Sequence, residues 1–173
     1  MMAWVTVSGH VGSRTMRMSQ GVEWALHTCL NLSWVDAPVP TSILAAFYQL
    51  PPAYLNKQLQ ALVRAGILTS TSGPRGGFQL AQAPAAVSLL DIVVAIEGSE
   101  ELFQCDQILR KGPGEHAGVD YRQSCAFAQT MRGADLAWRR ELAGKTVADV
   151  RADVERGHPE APANTRARIA ELR

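Results

Sequence analysis

Between Thr41 and Ala81 the chain sets three short structural signals in close succession, and together they leave few folds open. TSILAAFYQ opens on Thr or Ser, residues suited to cap a helix, and reads as one short helix. LPPAYLNKQLQALVRAGIL follows with almost no linker, and proline is well tolerated in a first helical turn. Leu55, Leu59, Leu62 and Val63 make the apolar stripe of this second helix, and Gly66 is its stop signal. In ILTSTSGPRGGFQLA, β-branched residues run to Thr71, then come Gly73, Pro74, Gly76 and Gly77, then Phe78 to Ala81. That order is strand, glycine-rich turn, strand. Two helices in tight sequence followed by a hairpin predict a winged helix-turn-helix. The expected fold is mainly α with a small β-hairpin wing, extended by a long dimerisation helix.

The flanks divide on the same grounds. Residues 1–15 are rich in Gly, Ser and Val without a helical period and read as a disordered extension; 16–98 form the winged domain. Its first helix begins after the N-cap candidate Ser19, with Val22, Ala25, Leu26, Leu30 and Val35 near one face. The prolines of DAPVP end it. VSLLDIVVAIEG is another helix, with Ser88 near its start and Gly98 after its end. Residues 99–121 hold Gly112, Pro113, Gly114 and Gly118 and read as a sensor loop. Residues 122–156 are the dimerisation helices: a long one from about Arg122 to Ala143, then TVADVRADVER. Phe127, Met131, Ala134, Trp138 and Leu142 recur at steps of three and four, a stripe suited to a partner helix. Residues 157–173 are expected to be a mobile tail.

Charge is distributed unevenly. The formal net charge is +1, yet no acid lies between Asp36 and Asp91, where Lys57, Arg64 and Arg75 fall. That middle segment can approach a polyanion without repulsion. On the second short helix Ala53, Asn56, Lys57 and Gln60 lie outside the apolar stripe. Asn and Gln can pair bidentately with adenine, and Lys can reach guanine or phosphate. At the hairpin tip Arg75 stands among glycines that let backbone approach closely. These residues are the candidate contacts to double-stranded DNA. The chain has no phosphate loop, nucleophile elbow or zinc-protease motif, so an enzyme is not expected. It has no apolar run of about 20 residues to span a bilayer. The start carries no basic and apolar export signal, which predicts a cytoplasmic protein whose three cysteines are not structural disulfides.

The run YLNKQLQALVRAGILTSTSGPRGGFQLA, continuing to LLDIVVAIEG, resembles the bacterial regulators typified by the iron–sulfur regulator IscR and the nitric-oxide sensor NsrR. The resemblance covers roughly residues 17–156. It implies a homodimer that reads a palindromic DNA site, with the long helix crossing between subunits.

Here the chain departs from that family's usual three closely spaced loop cysteines: it has only Cys105 and Cys125, with nineteen residues between them. An iron–sulfur cluster normally takes four protein ligands, so two cysteines alone fall short. The pair is then inert, or a switchable disulfide, or part of a site completed by other residues. Glu23 and His27, at i and i+4, project from one face of the first helix. EWALH together with the wide cysteine spacing is similar to redox-responsive members of the family. That resemblance implies a 2Fe–2S cluster held by Cys105 and Cys125 of one subunit and by Glu23 and His27 of the other. It places Trp24 beside the carboxylate ligand, as a shield against solvent or as core packing. Cys29 is read as a small core residue, and Asp106, Glu115 and His116 as polar side chains on the surface of the loop.

Overall fold

A computed structural model describes residues 18–101, 103–108 and 120–173. The extension 1–15 and much of the sensor loop, including Glu115 and His116, lie outside the described residues.

Helix α1 (Gln20–Leu32) buries Val22, Ala25, Cys29 and Leu32. Helix α2 (Thr41–Tyr48) closes on Gln49, whose left-handed backbone (φ 54°) lets its N–H reach back to the carbonyls of Ala45 and Ala46. The chain thus turns within three residues into α3 (Pro52–Arg64), which starts on proline. Leu55, Leu59 and Leu62 of α3 are fully buried. They face α1, α2 and α4 at the centre of the core. Burial of these leucines stabilises the domain by roughly 1.5–3 kcal/mol each.

The hairpin pairs β1 (Leu68–Thr71) with β2 (Gly77–Leu80), antiparallel, Leu68 opposite Leu80 and Thr71 opposite Gly77. Phe78 also bridges to Val39, each N–H donating to the other's carbonyl at 2.9 Å. Gly77 is required here. Its φ is 149°, and a Cβ would stand 2.3 Å from the Val39 carbonyl carbon. The glycine therefore seats the wing against the entry to α2.

A 3-10 turn (Pro84–Ala86) leads to α4 (Leu89–Glu97), and a short α5 (Tyr121–Ser124) precedes α6 (Ala126–Ala143) and α7 (Val147–Gly157). Ser88 and Thr146 cap α4 and α7 with matching capping boxes, closed by Asp91 and Asp149. The two caps bridge each other, Leu89 N–H donating to Lys145 O at 2.8 Å and Val147 N–H to Val87 O at 2.9 Å. The helix start of the winged domain is thereby stitched to the C-terminal part of the chain.

Two expectations from sequence need correcting. The helix expected from Arg122 is broken at Cys125, which is extended (φ −70°, ψ 121°) between α5 and α6. The interruption is held locally: the Asp120 side chain accepts from Arg122 N–H, and Ser124 Oγ donates to Asp120 O. Residues 157–173 are no mobile tail, because α8 (Ala161–Glu171) buries Ile169 and Thr165. It packs on α2 and α7. Arg166 Nη1 donates to Trp34 O at 3.4 Å and Arg173 Nη2 to Pro38 O at 3.0 Å, holding α8 to the α1–α2 connection.

Candidate nucleic-acid interface and metal centre

The outer face of α3 is set by its inner one. With three leucines committed to the core, Ala53, Asn56 and Lys57 stand exposed and Gln60 half-buried. Tyr54, 65 % exposed on the same helix, is an addition to the residues singled out from sequence. An aromatic side chain counts as apolar in a pattern reading, so its position off the leucine stripe was the available signal. Arg75 is exposed at the tip of the wing. The structure places Asn56, Lys57 and Arg75 on the two elements that a winged helix-turn-helix presents to DNA. Their solvated side chains are free to form contacts with base edges or phosphates.

The candidate ligands occupy two separate places in the chain. Glu23 and His27 are exposed on α1, opposite its buried residues, and line a shallow hollow with Met18, Ser19 and Leu26. Neither carries an ion pair or hydrogen bond to another described residue. Trp24, between them in sequence, is half-buried and packs against the core, so its body is committed to the fold. Cys105 lies in a different hollow, of about 280 Å³, lined also by Phe103, Asp106, Arg122 and Arg132. Asp106 is exposed, as expected for a polar group at the surface of the loop.

Cys105 and Cys125 are brought together by one backbone group. The Cys105 thiol contacts Tyr121 O at 3.9 Å, and the Cys125 N–H donates to the same oxygen at 3.1 Å. Both thiols are free and half-buried. Cys125 is also the N-cap of α6, where unsatisfied N–H groups offer positive potential to an anionic sulfur. Cys29 differs in kind. It is fully buried in α1, and loss of solvent pushes its thiol up to about 12, which leaves it neutral and unreactive.

Among the described residues no group of three or more His, Cys, Asp or Glu side chains gathers as one metal site. Instead Cys105 and Cys125 meet at Tyr121 O, and Glu23 and His27 share the hollow on α1. The two thiols about Tyr121 O and the carboxylate plus imidazole on α1 make four donors, the number a 2Fe–2S cluster takes, and all four side chains are within reach of solvent. The donor types fit such a cluster, but neither pair supplies the four ligands by itself.

Helix α6 carries exposed apolar surface. On α6 Phe127 is 80 % exposed, Ala134 is exposed, and Met131, Trp138 and Leu142 are half-buried, so the apolar stripe lies uncovered in the single chain. Helix α6 packs on α4, and its buried Ala128 and Asp135 lie on the face adjoining the stripe, which is why Met131, Trp138 and Leu142 are half-buried. Asp135 accepts from Arg139 Nε at 2.8 Å, and Arg139 Nη2 donates to the carbonyls of Ser99 and Glu100 at 3.3 and 2.9 Å. The same helix that carries the stripe thus grips the start of the cysteine-bearing loop.

Residues 18–153 match the Rrf2 family, described as "Iron-dependent Transcriptional regulator". Protein rrf2 of Nitratidesulfovibrio vulgaris is 31 % identical over 135 residues, covering 70 % of this chain and 89 % of that protein. Among solved structures, IscR of T. potens superposes with a TM-score of 0.60 at 21 % identity, over 85 % of this chain and 94 % of that one. CymR, the global cysteine regulator of B. subtilis, does so with 0.58 at 18 % identity, over 80 % and 98 %. These two likenesses bear on the fold. Helix α8 lies beyond the residues that match the family.

Proposed function

Because the chain belongs to the Rrf2 family of transcriptional regulators, which are DNA-binding proteins and not enzymes, we propose that it is a cytoplasmic homodimeric regulator that senses redox state through a 2Fe–2S cluster shared between subunits. The observation that carries this reading is the separation of the four candidate ligands into two pairs, Cys105 with Cys125 about Tyr121 O and Glu23 with His27 on α1, neither sufficient alone. Cys105 and Cys125 would hold one iron, and Glu23 and His27 of the other subunit would hold the second. When bound, the cluster supplies a one-electron acceptor whose carboxylate- and imidazole-ligated iron is the easier to reduce, as in centres where histidine replaces cysteine.

The chain's own residues do the rest. Arg122 and Arg132 line the cysteine hollow and offset the negative charge that thiolates bring into it. Trp24, next to Glu23 in sequence and half-buried against the core, is placed to limit water at the ligand pair. Lys57 and Arg75 supply charge to phosphate, while Asn56 and Gln60 read base edges in each half of a palindromic site. The proximity of Cys105 and Cys125 also favours a second reading, in which the two form a reversible disulfide without metal.

Mixed dimers separate these readings. Cys105→Ala and Glu23→Ala homodimers should each lose the visible absorption of the cluster. Exchanging their subunits creates one intact site, so a pure heterodimer should recover about half the parent signal. A ligand set confined to one chain would recover nothing. A colourless parent purified without oxygen, with a redox-dependent change in thiol count, would leave the disulfide switch.

A further inference from the structure

The first turn of α1 is a junction of three elements. Ser19 N–H donates to Glu97 Oε1 at 2.8 Å, tying it to the end of α4, where the sensor loop departs. Glu23 lies one turn on, exposed on the same side of the helix. Between them Gly21 is buried against α3: a Cβ on Gly21 would stand 2.8 Å from Gln58 Cδ and Nε2 and 3.0 Å from Oε1. The side-chain amide of Gln58 therefore seats directly on the α1 backbone, and it does so from the helix that carries Asn56 and Lys57. Glycine is a poor choice for a helix interior on propensity grounds. Here its missing side chain is what lets the amide in.

We propose that Gln58 is the positioning residue through which α1 sets the pose of α3, so that a shift of the helix bearing Glu23 and His27 reaches the DNA-reading face by this contact. The inference rests on the redox reading of those two residues and adds the route by which the site is coupled to DNA. A helix moves as a rigid body over a single turn, and close-packed interiors transmit such shifts without absorbing them. Gln58 is half-buried on the inner side of α3, where it can push the helix without contacting DNA itself.

The test is a double-mutant cycle on the full-length dimer, with operator affinity measured in the oxidised and reduced states. The readout is the ratio of the two affinities, expected to be about 5–150-fold in the parent. Gly21→Ala displaces only the flexible end of Gln58, so the fold should survive. It should lower that ratio by about twofold or more while leaving the cluster absorption unchanged. Gln58→Ala should lower it similarly, and Gly21→Ala should add nothing in the Gln58→Ala background. Ratios equal to the parent's in both single variants, or additive effects in the double variant, overturn the coupling alone. A parent whose affinity ignores oxidation state overturns the redox reading, and the coupling with it.

Discussion

Cys105 and Cys125 converge on a single atom, the carbonyl oxygen of Tyr121, which lies 3.9 Å from the sulfur of the first and accepts the backbone N–H of the second at 3.1 Å. One of these residues sits on irregular chain and the other at a helix cap. A continuous helix through residue 125 would commit the Cys125 N–H to the residue four positions back with helical side-chain directions on both sides. The extended Cys125 keeps that hydrogen bond and turns α6 onto a new course.

On the DNA face, Arg75→Ala should weaken binding to all sequences and lower the slope of log affinity against log salt by about one. Asn56→Ala and Lys57→Ala should instead change sequence preference, by roughly 1–3 kcal/mol at a contacted base. Affinities across a salt series and a panel of operators check both. A parent-like slope removes Arg75 from the interface, and parent-like operator ranking in both α3 variants removes that helix from base readout.

The stripe on α6 should form the subunit contact. Met131→Asp would bury a charge without a partner there, which is costly enough to shift the equilibrium toward monomer. Sedimentation across a concentration series reads the shift. A dimer of parent strength would move the interface away from Met131 and its exposed neighbour Phe127.

Helix α8 should contribute to global stability. Ile169 is 2 % exposed, so Ile169→Ala should cost about 2–5 kcal/mol, seen as a lower urea midpoint with an unchanged slope. A loss below about 0.5 kcal/mol would mean that the segment does not share in the cooperative core.

Alkaline stability should report Cys29. Its thiol ionises near 9.0 when solvated and is pushed up to about 12 by burial in the fold. Burial moves Tyr48 in the same sense, from 10.0 to about 12. Both raised groups favour the folded state fully while they are protonated in either state, below about pH 9. Above that the unfolded chain loses protons first, so stability falls as pH rises from about 9 toward 12. Cys29→Ala should flatten the first part of this decline in urea midpoints measured against pH. A slope equal to the parent's would leave Tyr48 as its cause.

The features legible in the sequence were those decided within a few residues. The leucine spacing of α3 determines which side is buried and hence that Asn56 and Lys57 are presented outward. Ser88 with Asp91 marks the start of α4, and the glycines around Arg75 mark the turn of the wing. The i, i+4 spacing of Glu23 and His27 places them on one face of α1 wherever that helix lies. Tertiary structure decided what depends on distant partners. APANTRARIAELR has Thr165, Ile169 and Leu172 at helical spacing, but that weak stripe earns a place in the core only because α2 and α7 stand ready to cover it. Trp34 finds Glu155 at 2.7 Å across 121 residues. Gln58 finds the bare backbone of Gly21, and two cysteines find one carbonyl. Periodicity records the direction in which a residue points from its own helix. It carries no record of which other element closes over it, because that is settled by the packing of the whole chain.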